Sequence, residues 1–375
     1  MKIKFQKPEI VSAMSSVDSI IPMHSSKPVY RNALIKPLNS NTIEITGVDE
    51  ENGITIKVKA NADSVEGKDS IAIDSKLFNQ HIMNSPSEDI EIERNNEDDS
   101  DKIIVKDGES TVVFLSANPE EFIEIMDYKK GKKLSLKSET MTRLIKQTLF
   151  ATAKEERSYA INGVFIKIEG SAIEMVATDG HRLAVSRGDI ENNDKIEYGS
   201  VFPVKVMSEI NKICNGIDSQ ENVLIQIEDG YVIFEAGPVC LMCNSIKGSF
   251  PSYKNVIPTS MKKNLKVNRE IFSRLLKRAS VMVSEETRTV TFDINKNEMV
   301  ITSRSSGKGE GKYKTSVDFS DSESMRIAFT PQYLQDVLRI IDDETLEIKL
   351  NSPEKPVMIE KEKEFQYVIM PVRPQ

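Results

Sequence analysis

The chain has 375 residues, 39% hydrophobic and 29% charged, a globular balance in a chain longer than one ordinary domain of ~100–200 residues. Its three cysteines give no disulfide framework and fit a reducing cytosol. No apolar run reaches the ~20 residues of a membrane span, and the start, Met1-Lys2-Ile3-Lys4-Phe5-Gln6-Lys7, lacks the apolar stretch of a secretory leader. With 58 acids against 50 bases the net charge is −8. That excludes a generic nucleic-acid coat but not one basic surface on an acidic body.

The first element is a short alternating strand, Ile3-Lys4-Phe5, leading into a helix with Ile10, Ala13, Met14 and Val17 on one side. Strands follow over 42–46, 54–58 and 71–73, then a helix over 75–83 and a strand over 103–105. The opening then recurs. Leu134-Ser135-Leu136 precedes a helix carrying Met141, Leu144, Ile145 and Thr148, with strands over 164–168 and 201–202, a helix over 204–213, and strands over 223–227 and 231–235. It recurs once more. Leu265-Lys266-Val267 precedes Phe272, Leu275, Leu276 and Ala279, then come strands over 299–302 and 327–329, a helix over 331–341 and a strand over 346–350. Pro203 and Pro331 suit a first helical turn, where the missing N–H is not needed.

The offset between copies is 131 residues both times, from Ile3 to Leu134 and from Leu134 to Leu265. Repeats this large predict three related α+β domains, each with two helices against antiparallel sheets. Lysine-rich junctions near 128–133 and 258–263 divide the chain into 1–128, 129–259 and 260–375.

Three stretches invite a chemical reading. Cys240 and Cys243 stand at i and i+3 in a predicted strand, hence on opposite faces, and no second pair completes a metal site. Gly307-Lys308-Gly309-Glu310-Gly311-Lys312 lacks the first glycine and the final Ser/Thr of a phosphate loop and reads as a solvated hairpin tip. Asp179 and His181, within Ala177-Thr178-Asp179-Gly180-His181-Arg182-Leu183-Ala184, could form an acid–base pair. The same stretch also reads as an Asp-Gly turn or a binding surface, and no nucleophile motif accompanies it.

Basic residues recur on the helices. Arg274, Lys277 and Arg278 share a helix face, as do Arg143 and Lys146, and the second helices carry Lys76, Lys205, Lys212 and Arg339. Any one such face is ordinarily just solvated. Repetition opposite the apolar side marks these, while acids gather elsewhere, with eight carboxylates in 88–101.

Val176-Ala177-Thr178-Asp179-Gly180-His181-Arg182-Leu183-Ala184 closely resembles the signature of the bacterial DNA polymerase III beta subunit, the sliding-clamp family. The tail Tyr367-Val368-Ile369-Met370-Pro371-Val372-Arg373 is similar to that family's C-terminus. Phe250-Pro251-x-Tyr253, Asn162-Gly163-Val164 and Tyr333-x-x-Asp336-Val337-Leu338 also match, so the resemblance spans the whole chain.

The resemblance implies three clamp domains per chain and a head-to-tail homodimer forming a six-domain ring, with helices lining the hole. Duplex DNA would be encircled without sequence preference, since phosphate contacts carry no base information. No catalysis, cofactor or metal is implied. DNA-facing residues would be His24, Lys76, Tyr159, Lys205 and Arg288 beside the helix bases above, with His24 standing where the family often has arginine.

A pocket for short peptides of the replicative polymerase, the clamp loader and repair proteins would comprise Ile161, Thr178, Gly180, His181, Arg182, Leu183, Pro251, Val256, Tyr333, Val368, Ile369, Met370, Pro371, Val372 and Arg373. The dimer interface would use Val112 and Phe114 on one side, Met282 and Val283 on the other. Three repeats fit a dimer better than the two-domain trimeric clamps. An adaptor that does not encircle DNA would explain the pocket but not the basic helices, and a hydrolase would rest on Asp179 and His181 alone.

Overall fold

The computed structural model describes residues 1–95, 102–122, 132–154, 161–228, 230–246, 249–284, 286 and 288–373. The first third runs β1 (Lys2–Gln6), α1 (Lys7–Asp18), β2 (Asn32–Pro37), β3 (Thr42–Asp49), β4 (Ile54–Asn61), β5 (Ser64–Glu66), β6 (Ile71–Asp74), α2 (Ser75–Asn84), β7 (Asp89–Asn95), β8 (Lys102–Asp107) and β9 (Ser110–Ala117). The second runs β10 (Lys133–Lys137), α3 (Ser138–Thr148), β11 (Gly163–Glu169), β12 (Ala172–Thr178), β13 (Arg182–Asp189), β14 (Tyr198–Pro203), α4 (Val204–Asn215), β15 (Asn222–Ile227), β16 (Val232–Ala236) and β17 (Val239–Cys243). The third runs β18 (Lys263–Asn268), α5 (Arg269–Val281), β19 (Val290–Ile294), β20 (Glu298–Ser305), β21 (Gly309–Ser316), β22 (Asp318–Phe319), β23 (Met325–Phe329), α6 (Pro331–Leu338), β24 (Thr345–Leu350), β25 (Val357–Lys361) and β26 (Phe365–Ile369).

Each third thus repeats one order: strand, helix, a run of strands, helix, three strands. The pairing repeats too, because the opening strand lies antiparallel to the first strand after the second helix: β1 on β7, β10 on β15, β18 on β24. Every apolar position that defined the repeat is buried, from Ile3 and Phe5 through Leu144 and Ile145 to Leu276 and Ala279. Side-chain caps start two of the helices. Asp74 accepts from the Leu77 N–H at 2.9 Å and Asn268 from the Ile271 N–H at 3.0 Å.

Three expectations differ in detail. Helix α6 ends at Leu338, because the N–H groups of Arg339 and Ile340 turn to carbonyls three residues back; Ile341 is still buried, which is why the apolar period runs on. Pro203 ends β14 rather than opening α4. Gly309 to Lys312 belong to strand β21, leaving only Ser306 to Lys308 at the hairpin tip. Cys240 is half-buried and Cys243 buried on alternating sides of β17, as strand geometry requires.

The chain divides into two compact units, and the division does not follow the repeats. One unit comprises 1–142, 190–194 and 205–245; the other comprises 143–189, 195–204 and 246–375. Sheet continuity is the reason. In the first unit β17 pairs with β4, from Val239 opposite Val58 to Cys243 opposite Ile54, making one thirteen-stranded sheet. In the second, β13 pairs with β26, from Arg182 opposite Ile369 to Ser186 opposite Phe365, within a nine-stranded sheet accompanied by a four-stranded one. The central third is therefore shared: its last hairpins complete the first unit and its middle strands complete the second.

Candidate functional site

The signature stretch forms the tight turn between β12 and β13. Thr178 Oγ1 donates to the Arg182 carbonyl at 2.6 Å, and Asp179 Oδ1 accepts the backbone N–H groups of His181 and Arg182, each at 3.0 Å. Gly180 takes φ +87°, a conformation that side chains with a Cβ rarely adopt. A second glycine, Gly163, is required by close approach: a Cβ there would lie 2.1 Å from the Phe202 carbonyl oxygen across the β11–β14 pair.

Beside this turn lies a cavity of about 210 Å³. Ile161, Thr178, Gly180, His181, Arg182 and Leu183 line one side; Pro251, Val256, Val368 and Met370 line the rest. Ser252 and Tyr253 join them beyond the residues the resemblance implies, Tyr253 as the last residue of the Phe250-Pro251-x-Tyr253 motif. Tyr253 packs in the apolar floor with Val176, Leu183, Val185 and Val368, and donates its hydroxyl to Glu174. Burial first, and that carboxylate second, push its pKa up.

Other expected pocket residues lie elsewhere. Tyr333 lines an adjoining cavity of about 640 Å³ that shares Ile161, His181 and Arg182 with the first. Ile369 is wholly buried in the sheet. Val372 is tied to β23 through its N–H to the Ala328 carbonyl, and Pro371 and Arg373 flank it. None of these last four lines the 210 Å³ cavity.

Asp179 and His181 do not form a catalytic dyad. The Asp179 carboxylate is spent on backbone N–H groups and on Arg182 Nε at 3.0 Å, while the His181 ring stacks on Tyr333 with centroids 6.5 Å apart. No group of three or more His, Cys, Asp or Glu able to hold a metal occurs among the described residues.

The basic residues separate by environment. Lys76 on α2 and Arg274 and Lys277 on α5 are exposed and make no ion pair among the described residues. Arg278 stacks over Tyr313 at 5.0 Å, Lys212 pairs with buried Glu209 at 2.7 Å, and Arg339 lies 3.7 Å from Asp336. Arg143 donates to the Arg187 carbonyl at 3.1 Å and lies 3.3 Å from Glu364. Lys146, His24 and Arg288 are exposed, the last with φ 49°. Lys205 departs from its expected role. Its ammonium lies 2.6 Å from Asp49 Oδ2 and 2.8 Å from the Ile20 carbonyl, so it holds a buried carboxylate instead of standing free. Tyr159 and much of the acidic run 88–101 lie outside the described residues.

At the expected subunit contacts, Val112 and Phe114 sit half-buried on β9, with Phe114 against Phe78 and His81. Val283 is only 9% exposed, whereas Val281, the last residue of α5, is 69% exposed. The helix ends between them, so consecutive residues point in different directions and the sequence alone could not choose.

A chain of three repeated α+β domains, with basic helix faces, an apolar cleft and no reactive constellation among the described residues, has the architecture of a DNA clamp. Three family models match in order: the N-terminal domain of the DNA polymerase III beta subunit over 1–126, its central domain over 135–252 and its C-terminal domain over 254–373. The beta sliding clamp of Chlamydia muridarum is 26% identical over 373 residues, covering 100% of this chain and 99% of that one. That of Salmonella typhimurium is 27% identical over 376 residues, covering both chains fully. The Thermotoga maritima beta subunit superposes with a TM-score of 0.90 at 24% identity, and the Pseudomonas aeruginosa clamp bound to griselimycin with 0.92 at 20%, each covering 100% of both chains. The chain belongs to the DNA polymerase III beta subunit family. Its function is that of a DNA sliding clamp, a non-catalytic processivity factor of the polymerase. These relatives do not favour the adaptor reading.

Proposed function

We propose that two copies of this chain close head-to-tail into a ring around duplex DNA, and that partner proteins dock through the 210 Å³ cleft. The observation that carries the ring is a pair of open sheet edges. Among the described residues, strand β9 is paired along Ser110–Leu115 with β8 alone, since β6 meets it at Ser116 and Ala117. The eight-residue β21 is paired, among the described residues, with β20 alone. The other sheet ends are two or three residues long or are covered by an isolated bridge, as at Ser135–Glu191, Val201–Ile246 and Ala328–Val372. Long unpaired edges invite another strand. Leu115 on β9, 77% exposed, and Val281 at the end of α5 near β21 supply apolar surface for it. Two different edges meeting one another make a heterologous contact, which closes when its rotation permits.

On this reading Met282 and Val281 face Val112 and Phe114 of the second copy. Lys76, Arg274 and Lys277, with Lys146, Arg288 and His24, meet phosphates in weak, salt-dependent contacts that permit sliding. Retention then comes from topology. The cleft takes short segments with apolar anchors from the polymerase, the clamp loader and repair proteins, its polar turn fixing their orientation. The domains would be 1–128, 129–259 and 260–375, and the compartment the cytoplasm; no helix among the described residues is long and apolar enough to cross a membrane.

Negative-stain electron microscopy of the purified protein tests the ring. Class averages with a central hole and six similar lobes are expected; three-lobed particles that persist at high concentration would overturn it.

A further inference from the structure

We propose that Arg182 is the positioning residue of the peptide cleft: its guanidinium stays away from the ligand and, through Tyr333 behind it, locks the His181 wall in its binding position. The proposal rests on the reading of the cleft as a peptide site. The Arg182 side chain is 4% exposed, and all its nitrogen atoms are engaged. Nε donates to Asp179 Oδ2 at 3.0 Å, Nη2 to the Phe150 carbonyl at 2.7 Å, and Nη1 to Asp336 Oδ2 at 2.6 Å and more weakly to the Tyr367 hydroxyl at 3.4 Å. The plane of the group lies 4.5 Å from the Tyr333 ring centroid.

Four chain segments therefore converge on one cation: the β12–β13 turn, the 3-10 turn Leu149–Ala151, helix α6 and strand β26. Each supplies or supports a cleft wall. The Tyr367 hydroxyl donates onward to the Tyr333 carbonyl at 2.9 Å, and Tyr333 stacks with His181 at an interplanar angle of 18°. The His181 carbonyl in turn accepts the Met370 N–H at 2.9 Å. Burial by itself would pull the Arg182 pKa down, but Tyr367, Asp336 and Asp179 outweigh it, so the charge is kept. A planar fork reaches four acceptors in fixed directions; an ammonium cannot. A wall held this way is ordered before the ligand arrives, so binding has less freedom to remove and the complex lasts longer.

The test uses the full chain and a dye-labelled synthetic octapeptide with two adjacent leucines, matched to the apolar lining of the cleft, with rates read by stopped-flow fluorescence. Arg182→Lys is expected to speed release about tenfold or more while association changes less than about threefold, because related interfaces differ mainly in dissociation. Asp336→Asn, which leaves the bonds to Asp179 and Phe150 in place, should shift release the same way but less. Combined with His181→Ala, Arg182→Lys should add little, since it acts through that wall. Unchanged release, or an effect fully additive with His181→Ala, overturns the positioning role. If Arg182→Lys does not fold, Asp336→Asn and its cycle with His181→Ala decide on the same criteria. Failure of the unmutated protein to bind the peptide removes the cleft reading itself, and this role with it.

Discussion

The ammonium of Lys205 meets a carboxylate, Asp49, that has no exposed surface and is otherwise bonded, among the described residues, to the backbone and side chain of Asn52. Removing one partner of a buried pair leaves the other charge unpaired. Lys205→Ala is therefore expected to lower unfolding free energy by about 1–3 kcal/mol, discounted because the lysine is itself partly exposed, as read by urea denaturation. The salt dependence of duplex-DNA binding should hardly change, whereas replacing Arg274 and Lys277 together with alanine should reduce its slope by about 2. Cysteines give a pH signature. Burial first of all pushes Cys214 and Cys240 from 9.0 to about 11. The folded state then holds these protons more tightly than the unfolded chain, so stability is intact below pH 9 and declines as pH rises from there through about 11. Guanidinium denaturation at pH 8 and pH 10.5 should show that decline, and Cys214→Ala/Cys240→Ala should make it smaller, with Cys243, Tyr253 and Tyr367, which burial also pushes up, still contributing.

Helix α5 is the element on which most proposed roles meet, since it presents Arg274 and Lys277 and ends at Val281. Its start depends on the Asn268 side chain, which satisfies one of the N–H groups a first turn leaves without a partner. Asn268→Ala should cost about 1 kcal/mol, visible as a lower midpoint in thermal or urea melts. Its far end tests assembly. Met282→Arg, or Val281→Asp, would place an unpaired charge against apolar side chains of the second copy. Analytical ultracentrifugation at micromolar concentration should then report monomer; an unchanged dimer mass would assign the contact elsewhere. Strand β9 offers the complementary surface, with Val113 and Leu115 exposed on one side and Val112 and Phe114 half-buried on the other.

At the scale of the whole molecule, cleft and ring are separable. Residues 371–373 follow the cleft and bridge to β23 through Val372, far in sequence from β9 and β21. Deleting 371–375 should weaken peptide binding, because it removes the Val372–Ala328 tie next to Met370, while sedimentation still reports a dimer; peptide binding retained at full strength would remove the tail from the site. The two compact units also carry a consequence for unfolding. Because β17 is hydrogen-bonded to β4 and β13 to β26, the middle third cannot melt alone without opening both sheets. Hydrogen exchange should therefore show the β17–β4 and β13–β26 strands protected with their respective units, in cooperative blocks that cross the repeat boundaries.

The sequence by itself determined the repeat, the buried face of every opening helix, the strand alternation that separates Cys240 from Cys243, and the signature turn around Gly180. These are local properties, set by side-chain periodicity and by what a backbone needs at a positive φ. Tertiary structure alone decided what each polar group is for. Lys76 and Lys205 occupy comparable places at the starts of second helices, yet one is exposed and the other is held by Asp49, from a strand 156 residues away. Arg182 lines the cleft, and only the fold brings Asp336, 154 residues distant, to its guanidinium. Val281, Met282 and Val283 differ only in direction at a helix end, which no period encodes. Electrostatic partners and open edges depend on which distant segments meet, and pairwise distance is the quantity that sequence order does not contain.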